Sequence, residues 1–336
     1  MLSDTDRDSL LQALLAVSSA KDIGPQTLNA VYDSGLLAEI ASNNEEAVQA
    51  TLIRLSRKLR PSSLDAIRNR RSDLVAFAAK TTDQLREHGI VFVPKGHRDY
   101  PPSLLLLNEP PRWIFVQGSP AVLHSTTSVA VVGTRQASPE GLRLARRCGR
   151  ELATRGLVVL SGLAKGIDEQ AHKGAIDVFG QTTAILGHGL LSPSIKERQD
   201  LVKAILDCDG AVVSEYFPGD LPSRQRFLRR NELQVALSKV VIPVESPSLE
   251  SGTGATIRRA LQIGRTLMGV IPEDTSSTSL LATQDRLREM KVEVYKVMGR
   301  DSAKFWQELK EKFGLAYWND DLVASKNRAL RSIMQS

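Results

Sequence analysis

Three loops in this sequence carry the residue types that hold anions. The first runs Gly133, Thr134, Arg135 and is followed by Ser138, Pro139 and Glu140. Serine is a good helix N-cap and proline a good first helical residue, so a helix should open here with free N–H groups beside a hydroxyl and a guanidinium. That combination suits a phosphate; the plain alternative is a tight strand-to-helix turn. The second loop, Ser161-Gly162-Leu163-Ala164-Lys165-Gly166-Ile167-Asp168, has two glycines that permit close backbone approach and a lysine on a mobile stem. Asp168 is expected to cap the next helix, and His172 to pack or hydrogen-bond rather than act as a base. The third loop, Ser251, Gly252, Thr253 and Gly254, is another glycine and hydroxyl turn into a helix.

A fourth feature is a charge run. The stretch 222–231, PSRQRFLRRN, holds Arg224, Arg226, Arg229 and Arg230 with no acid among them. Phe227 lies inside it. An aromatic ring within an arginine cluster matches what a single-stranded nucleic acid offers, since bases stack while guanidinium groups take phosphates. The bland reading is a solvated helix end with Phe227 in the core. Arg229, Arg230 and Asn231 are the members most expected to contact a ligand, and Lys239 stands at the start of the next strand. Arg143, Arg146 or Arg147, and Arg150 recur at helical spacing. They read as a solvated face or as an extension of a basic path.

The elements that must position these loops follow from periodicity. From Ser128 onward, short continuous Val/Ile/Leu runs (128–133, 156–162, 182–189, 210–216, 239–246, 266–272 and 292–297) alternate with amphipathic stretches at 139–155, 168–179, 196–208, 227–238 and 254–264. Continuous apolar runs mark strands buried on both faces. The alternation predicts a βαβ series and a doubly wound, mainly parallel sheet whose sites lie at the carboxyl ends of the strands. Residues 1–75 read as a small all-helical module. Its KDIGPQTL break is similar to the turn of a SAM or helix-hairpin-helix unit, more suited to packing or protein contact than to DNA. Residues 76–127, rich in prolines, read as a connector adding edge strands. The large α/β domain spans 128–300, and 301–336 forms a helix and polar tail.

Composition excludes several classes. With 336 residues, 44 Lys+Arg and 38 Asp+Glu, the net charge is +6, too small to indicate a polyanion by itself. No apolar stretch approaches the roughly 20 residues a membrane helix needs, and MLSDTDRDSLL is unlike a signal peptide, so a cytoplasmic protein is expected. Two cysteines, Cys148 and Cys208, lack CxxC or histidine spacing and read as core residues, so neither a metal nor another cofactor is expected.

Taken in order, VAVVGTR, VVLSGLAKGIDEQAHKGA, TTAILGHGL, VVSEYFPG, RFLRRNELQVALSKVVIPVES, SGTGAT and ALQIGR resemble the DNA-processing protein A (DprA/Smf) family of Rossmann-like, single-stranded-DNA-binding proteins. The resemblance covers roughly residues 10–300 and includes the leading segments IGPQTL and YPPSL. It implies that Gly133, Thr134, Arg135, Ser161, Gly162, Lys165, Gly166, Arg230, Asn231 and Lys239 line a DNA groove. It also implies a homodimer formed through the Rossmann-like domain and delivery of the RecA recombinase onto single strands in transformation or recombination. Departures stand out. LSPSIKERQDL replaces the family's usual Tyr-Pro and Asn after TTAILGHGL, and Gly254 adds freedom where the family has Gly-Ser-Leu-Ile-Thr-Ala. Residues 301–336 are too few for the winged helix that many members carry.

The expected role is therefore binding, not catalysis. The main rival resembles the lysine-decarboxylase-like (LOG) phosphoribohydrolases, whose Pro-Gly-Gly-x-Gly-Thr-x-x-Glu loop supplies a carboxylate. Here Thr256 stands at that position. Glu215 or Glu245 would have to substitute, with geometry that sequence does not show. A third reading, a small-nucleotide sensor, uses the same loops, but four arginines exceed what one mononucleotide needs.

Overall fold

Residues that alternate between buried strands and half-buried helices specify a layered α/β sheet. The computed structural model describes residues 4–20, 23–37, 45–57, 59–297 and 302–314. The chain divides into two compact units, one formed by 1–100 with 112–114 and the other by 101–111 with 115–336.

The first unit contains α1 (Asp4–Ser18), α2 (Pro25–Asp33), α3 (Glu45–Leu55), α4 (Pro61–Asn69), α5 (Arg71–Glu87) and β1 (Ile90–Pro94). Leu14, Leu15, Val31, Leu52, Leu55, Ile67 and Leu85 fill its interior. Gly24 is the N-cap of α2 and Pro25 opens it; Lys21 and Asp22 of the KDIGPQTL break lie outside the described residues. The Arg112 guanidinium, paired with Asp33 at 2.5 Å, and the stacked Tyr32 and Trp113 rings, 5.2 Å apart, tie residues 112–114 to this unit.

In the second unit the strands are β2 (Trp113–Gly118, from Phe115 on), β3 (Ser128–Val132), β4 (Val158–Ser161), β5 (Thr182–Leu186), β6 (Ala211–Ser214), β7 (Val240–Pro243) and β8 (Thr266–Leu267). Their order is β2-β6-β5-β4-β3-β7-β8. All neighbours are parallel except β2, which pairs antiparallel with β6 at the edge. Helices α6 (Pro139–Thr154), α7 (Ile167–Ile176), α8 (Gln199–Asp207), α9 (Arg224–Leu237) and α10 (Gly252–Gln262) connect them. The mainly parallel, doubly wound α/β sheet is thus as expected. Strand order runs one way from β3 through β6 and reverses to β7 on the other side of β3, which makes the carboxyl end of β3 a topological switch point.

Two local expectations need correction. The run 266–272 is not one strand. Met268 still donates its N–H to Val241 in the main sheet, but Gly269 bonds Glu293 instead. β9 (Gly269–Ile271) thereby leaves the sheet and pairs in parallel with β10 (Val294–Lys296). The helix expected over 196–208 begins as a 3-10 turn, Pro193–Arg198, before α8. The chain continues through α11 (Thr278–Glu289) and α12 (Ala303–Phe313). Residues 315–336, and with them the expected polar tail, lie outside the described residues.

Helices α6 and α7 lie against each other almost backbone to backbone. A Cβ on Gly149 would fall 2.1 Å from the Ala171 carbonyl oxygen, and one on Gly174 would fall 1.8 Å from that of Arg146. Both cysteines are buried, and burial pushes the Cys148 thiol up to about 12. Among the described residues no helix is long and apolar enough to cross a membrane, and no cluster of His, Cys, Asp and Glu is placed to hold a metal ion.

Candidate functional site

The switch point holds an open cavity of about 730 Å³ whose lining includes Gly133, Thr134, Arg135, Phe227, Arg230, Asn231, Ser251, Gly252 and Thr253. Its floor is set by main-chain bonds between loops. Thr134 N–H donates to the Glu245 carbonyl at 2.9 Å, and Ile167 N–H donates to the Thr134 carbonyl at 3.3 Å. Ser138 caps α6 by accepting from Gly141 N–H, as its position before proline suggests. Its own N–H and hydroxyl both donate to the buried Glu245 carboxylate, at 3.0 and 2.9 Å. Ser251 caps α10 in the same way. The N-termini of α9 and α10 both reach the lining, so two helix dipoles add positive potential there.

Phe227 is half-buried and the Arg135 guanidinium lies over its ring, 4.7 Å from the centroid. Arg135 is exposed, so one cation and one aromatic face stand together at the mouth. Arg230 lies below them, 5% exposed, and donates to the Ile185 carbonyl at 2.9 Å. A Cβ on Gly162 would sit 1.5 Å from its guanidinium, so glycine is required for the arginine to lie there. Asp168, also buried, approaches Arg230 at 3.9 Å. Burial pushes the Asp168 carboxyl up against the pull of Arg230, and burial lowers Arg230 against the pull of Asp168. Desolvation outweighs attraction at that separation. Asp168 therefore does not cap α7; Gly166, at φ 91°, occupies that position without a side-chain cap.

Several expected contacts are placed elsewhere. Ser161 is fully buried, with its hydroxyl donating to the Val131 carbonyl at 2.7 Å, because the carboxyl end of β4 is covered. Gly162 and Gly166 serve packing against Arg230 and Thr134 instead of lining the cavity. Lys165 is exposed beside the cavity, 3.9 Å from Glu197. Arg229 is held by Glu215 at 3.2 Å and Glu232 at 2.7 Å, so its charge is matched within the fold. Arg226 pairs with Asp220 at 3.2 Å and lies over Tyr216. Of the four arginines in the basic run, Arg224 alone lines the cavity without a charged partner among the described residues. Lys239 precedes β7 and so stands at the amino end of the sheet, away from the cavity, with its ammonium over Phe313. Gly254 does not add freedom. It is helical and lets the Leu249 carbonyl approach to within 2.1 Å of where a Cβ would be.

Sequence reasoning missed Glu250, Arg258, Gln136 and Gln234, which also line the cavity. Each lies near a loop or helix already singled out, the one signal that could have found them. The divergent segment 191–200 does not line the cavity; there Arg198 pairs with Glu169 at 2.8 Å.

His172 packs, as expected. Thr182 donates its hydroxyl to the Val159 carbonyl, so the 2.7 Å contact to His172 Nδ1 requires the imidazole to be the donor. Nε2 is left bare and buried. Burial, with Arg230 nearby, pulls the imidazole down to about 3. The unfolded chain takes up a proton near pH 6.5 that the native protein refuses until about pH 3, so stability falls as pH drops through that window. The expected contribution has a slope of about 1.4 kcal/mol per pH unit. Urea midpoints at neutral and mildly acidic pH should converge less for the wild type than for His172→Gln; identical pH dependence in the two would refute the assignment.

A profile of the DNA recombination-mediator protein A family matches residues 91–300. The chain belongs to that family. It is 43% identical to Protein Smf of Escherichia coli (strain K12) over 174 residues, 52% of this chain and 46% of that one. It is 30% identical to DNA processing protein DprA of Bacillus subtilis (strain 168) over 185 residues, 55% of this chain and 62% of that one. These matches span about half to three fifths of the relatives' lengths. The crystal structure of DNA processing protein A from Streptococcus pneumoniae superposes with a TM-score of 0.60 at 22% identity, covering 91% of this chain and 98% of that chain. The fold of this family member is the DprA fold.

Proposed function

We propose that this chain binds single-stranded DNA without reading its sequence and is not an enzyme. Phosphates would meet Arg135, Arg224, the Gly133 N–H, the Thr134 hydroxyl and the start of α10, while a base stacks on the outer face of the Arg135 guanidinium that lies on Phe227. The observation that carries this reading is the Arg135 guanidinium over the half-buried Phe227 ring at the mouth of an open cavity. Backbone contacts plus an aromatic platform bind any sequence, because every base has a π face. A family relative from Helicobacter pylori, 24% identical with a TM-score of 0.57, is described by its single-stranded DNA binding mode. In the same reading the protein is cytoplasmic, dimerises through the Rossmann-like domain, protects the strand and passes it to RecA during transformation or recombination.

The phosphoribohydrolase reading needs a carboxylate where Thr256 stands. Both substitutes are occupied, Glu245 by Ser138 and Glu215 by Arg229. The basic run no longer argues for a polymer by its count, since three of its four arginines have acidic partners inside the fold. An open mouth, in contrast, admits a chain longer than one nucleotide.

Titration with a single strand of about 20–40 nucleotides, a duplex of equal length and mononucleotides tests the reading. Preferential, salt-sensitive binding of the single strand supports it. Equal affinity for duplex, tighter binding of a mononucleotide, or release of free base from AMP would each overturn it.

A further inference from the structure

The outer face of α6 is cationic along its length. Arg143, Arg147 and Arg150 are all exposed. At about 100° per residue they fall within a stripe roughly 60° wide, opposite the buried Leu144, Cys148 and Leu152 side. None of the three guanidinium groups makes a hydrogen bond or ion pair among the described residues. Most other charges on this helix are held by the fold. Glu140 accepts from Thr275, Ser276 and Ser277. Arg146 pairs with Asp177 at 2.8 Å, Arg155 with Glu151 at 2.6 Å and Lys173 with Glu169 at 2.7 Å. Once internal ion pairs are set aside, the length from Arg143 to Arg150 presents three guanidinium groups, with the Glu140 carboxylate at the amino end of the helix.

The stripe also begins close to the cavity. Helix α6 begins at Pro139, three residues after the cavity-lining Gln136, and Arg143 lies about one turn inside it. From Arg143 to Arg150 the helix rises roughly 10 Å, a length that about three stacked nucleotides of one strand also cover.

We propose that α6 is a second contact surface for single-stranded DNA, taking the phosphates of a strand that leaves the cavity past Arg135. The inference rests on the DNA-binding reading above and extends it from a pocket to a track. A solvated face that only aids solubility would show no dependence on ligand length. A track acts only on strands long enough to leave the pocket, which makes length the decisive variable.

The test compares a strand of about 5 nucleotides with one of about 25, using the full chain, the Arg143→Gln/Arg147→Gln/Arg150→Gln triple variant and Arg135→Glu. For the triple variant, affinity for the long strand should fall about 10-fold near physiological salt while that for the short strand stays within about twofold. Its log-affinity against log-salt slope should shrink by about 2 for the long strand, at roughly 0.7 per lost phosphate contact. Replacing the same three arginines with lysine should keep the slope. If the triple variant binds both strands like the wild type while Arg135→Glu weakens both, the track is wrong and the pocket reading stands. Equal losses on both strands would likewise overturn the track, as would loss of binding to phosphatidylglycerol vesicles with long-strand affinity intact. If wild-type protein binds neither strand, the pocket reading itself fails, and the track with it.

Discussion

Exchanging Arg135 for glutamate is expected to weaken single-stranded DNA binding by on the order of 100-fold, with thermal stability little changed, since a charge-assisted contact contributes about 1.5–3 kcal/mol and reversal adds repulsion. The side chain is exposed and makes no ion pair among the described residues, and its charge reaches the buried Asp168 and Arg230 only beyond ion-pair distance, so its effect on stability is small. Its position over Phe227 gives it two tasks, holding a phosphate with its N–H edge and offering its ring-backed plane to a base. Arg135→Lys separates them. Lysine keeps the charge but has no planar group to lie on the ring, and should fall between the two proteins. Fluorescence anisotropy with a labelled oligonucleotide at two salt concentrations reads both. An Arg135→Glu protein that binds within about threefold of the wild type would leave the proposed interface without its central contact.

The largest expected loss of stability is at Asp168. Asp168→Ala leaves the buried Arg230 guanidinium without its carboxylate, and breaking one side of a buried pair costs about 3–5 kcal/mol. For a unit of this size that corresponds to a fall in Tm of roughly 10 °C. The double variant Asp168→Ala/Arg230→Met should recover most of the loss, because removing both charges also removes the desolvation that currently raises one group and lowers the other. Urea unfolding of the wild type, single and double variants checks this. A double variant no more stable than Asp168→Ala would mean that the pair does not act as a pair.

These two residues also show what could and could not be read in advance. Arg135 follows an apolar run and precedes a serine and proline that open a helix, so its place at a strand end was legible from local chemistry. The same holds for Ser138 and Ser251, whose capping depends on neighbours three residues away. The sheet was legible because continuous apolar runs need burial on both faces. What escaped was every partnership across the fold. The run 222–231 has no acid in sequence, yet Asp220, Glu215 and Asp168 reach it from other loops and strands. Glu245 offered itself as a catalytic group and instead anchors the start of α6. Lys239, expected in the groove, stands at the other end of the sheet, and its sequence position already signals this, since a residue before a parallel strand belongs to the end opposite the site.

The glycine contacts between α6 and α7 have one more consequence. Each of these helices begins in a loop at the end of its strand, and their main chains touch without side chains between them. The spacing of those two loops is therefore set like the jaws of a fixed calliper. A single methyl group at position 149 or 174 would prise the jaws apart, altering the gauge of the cavity from a point that no ligand touches.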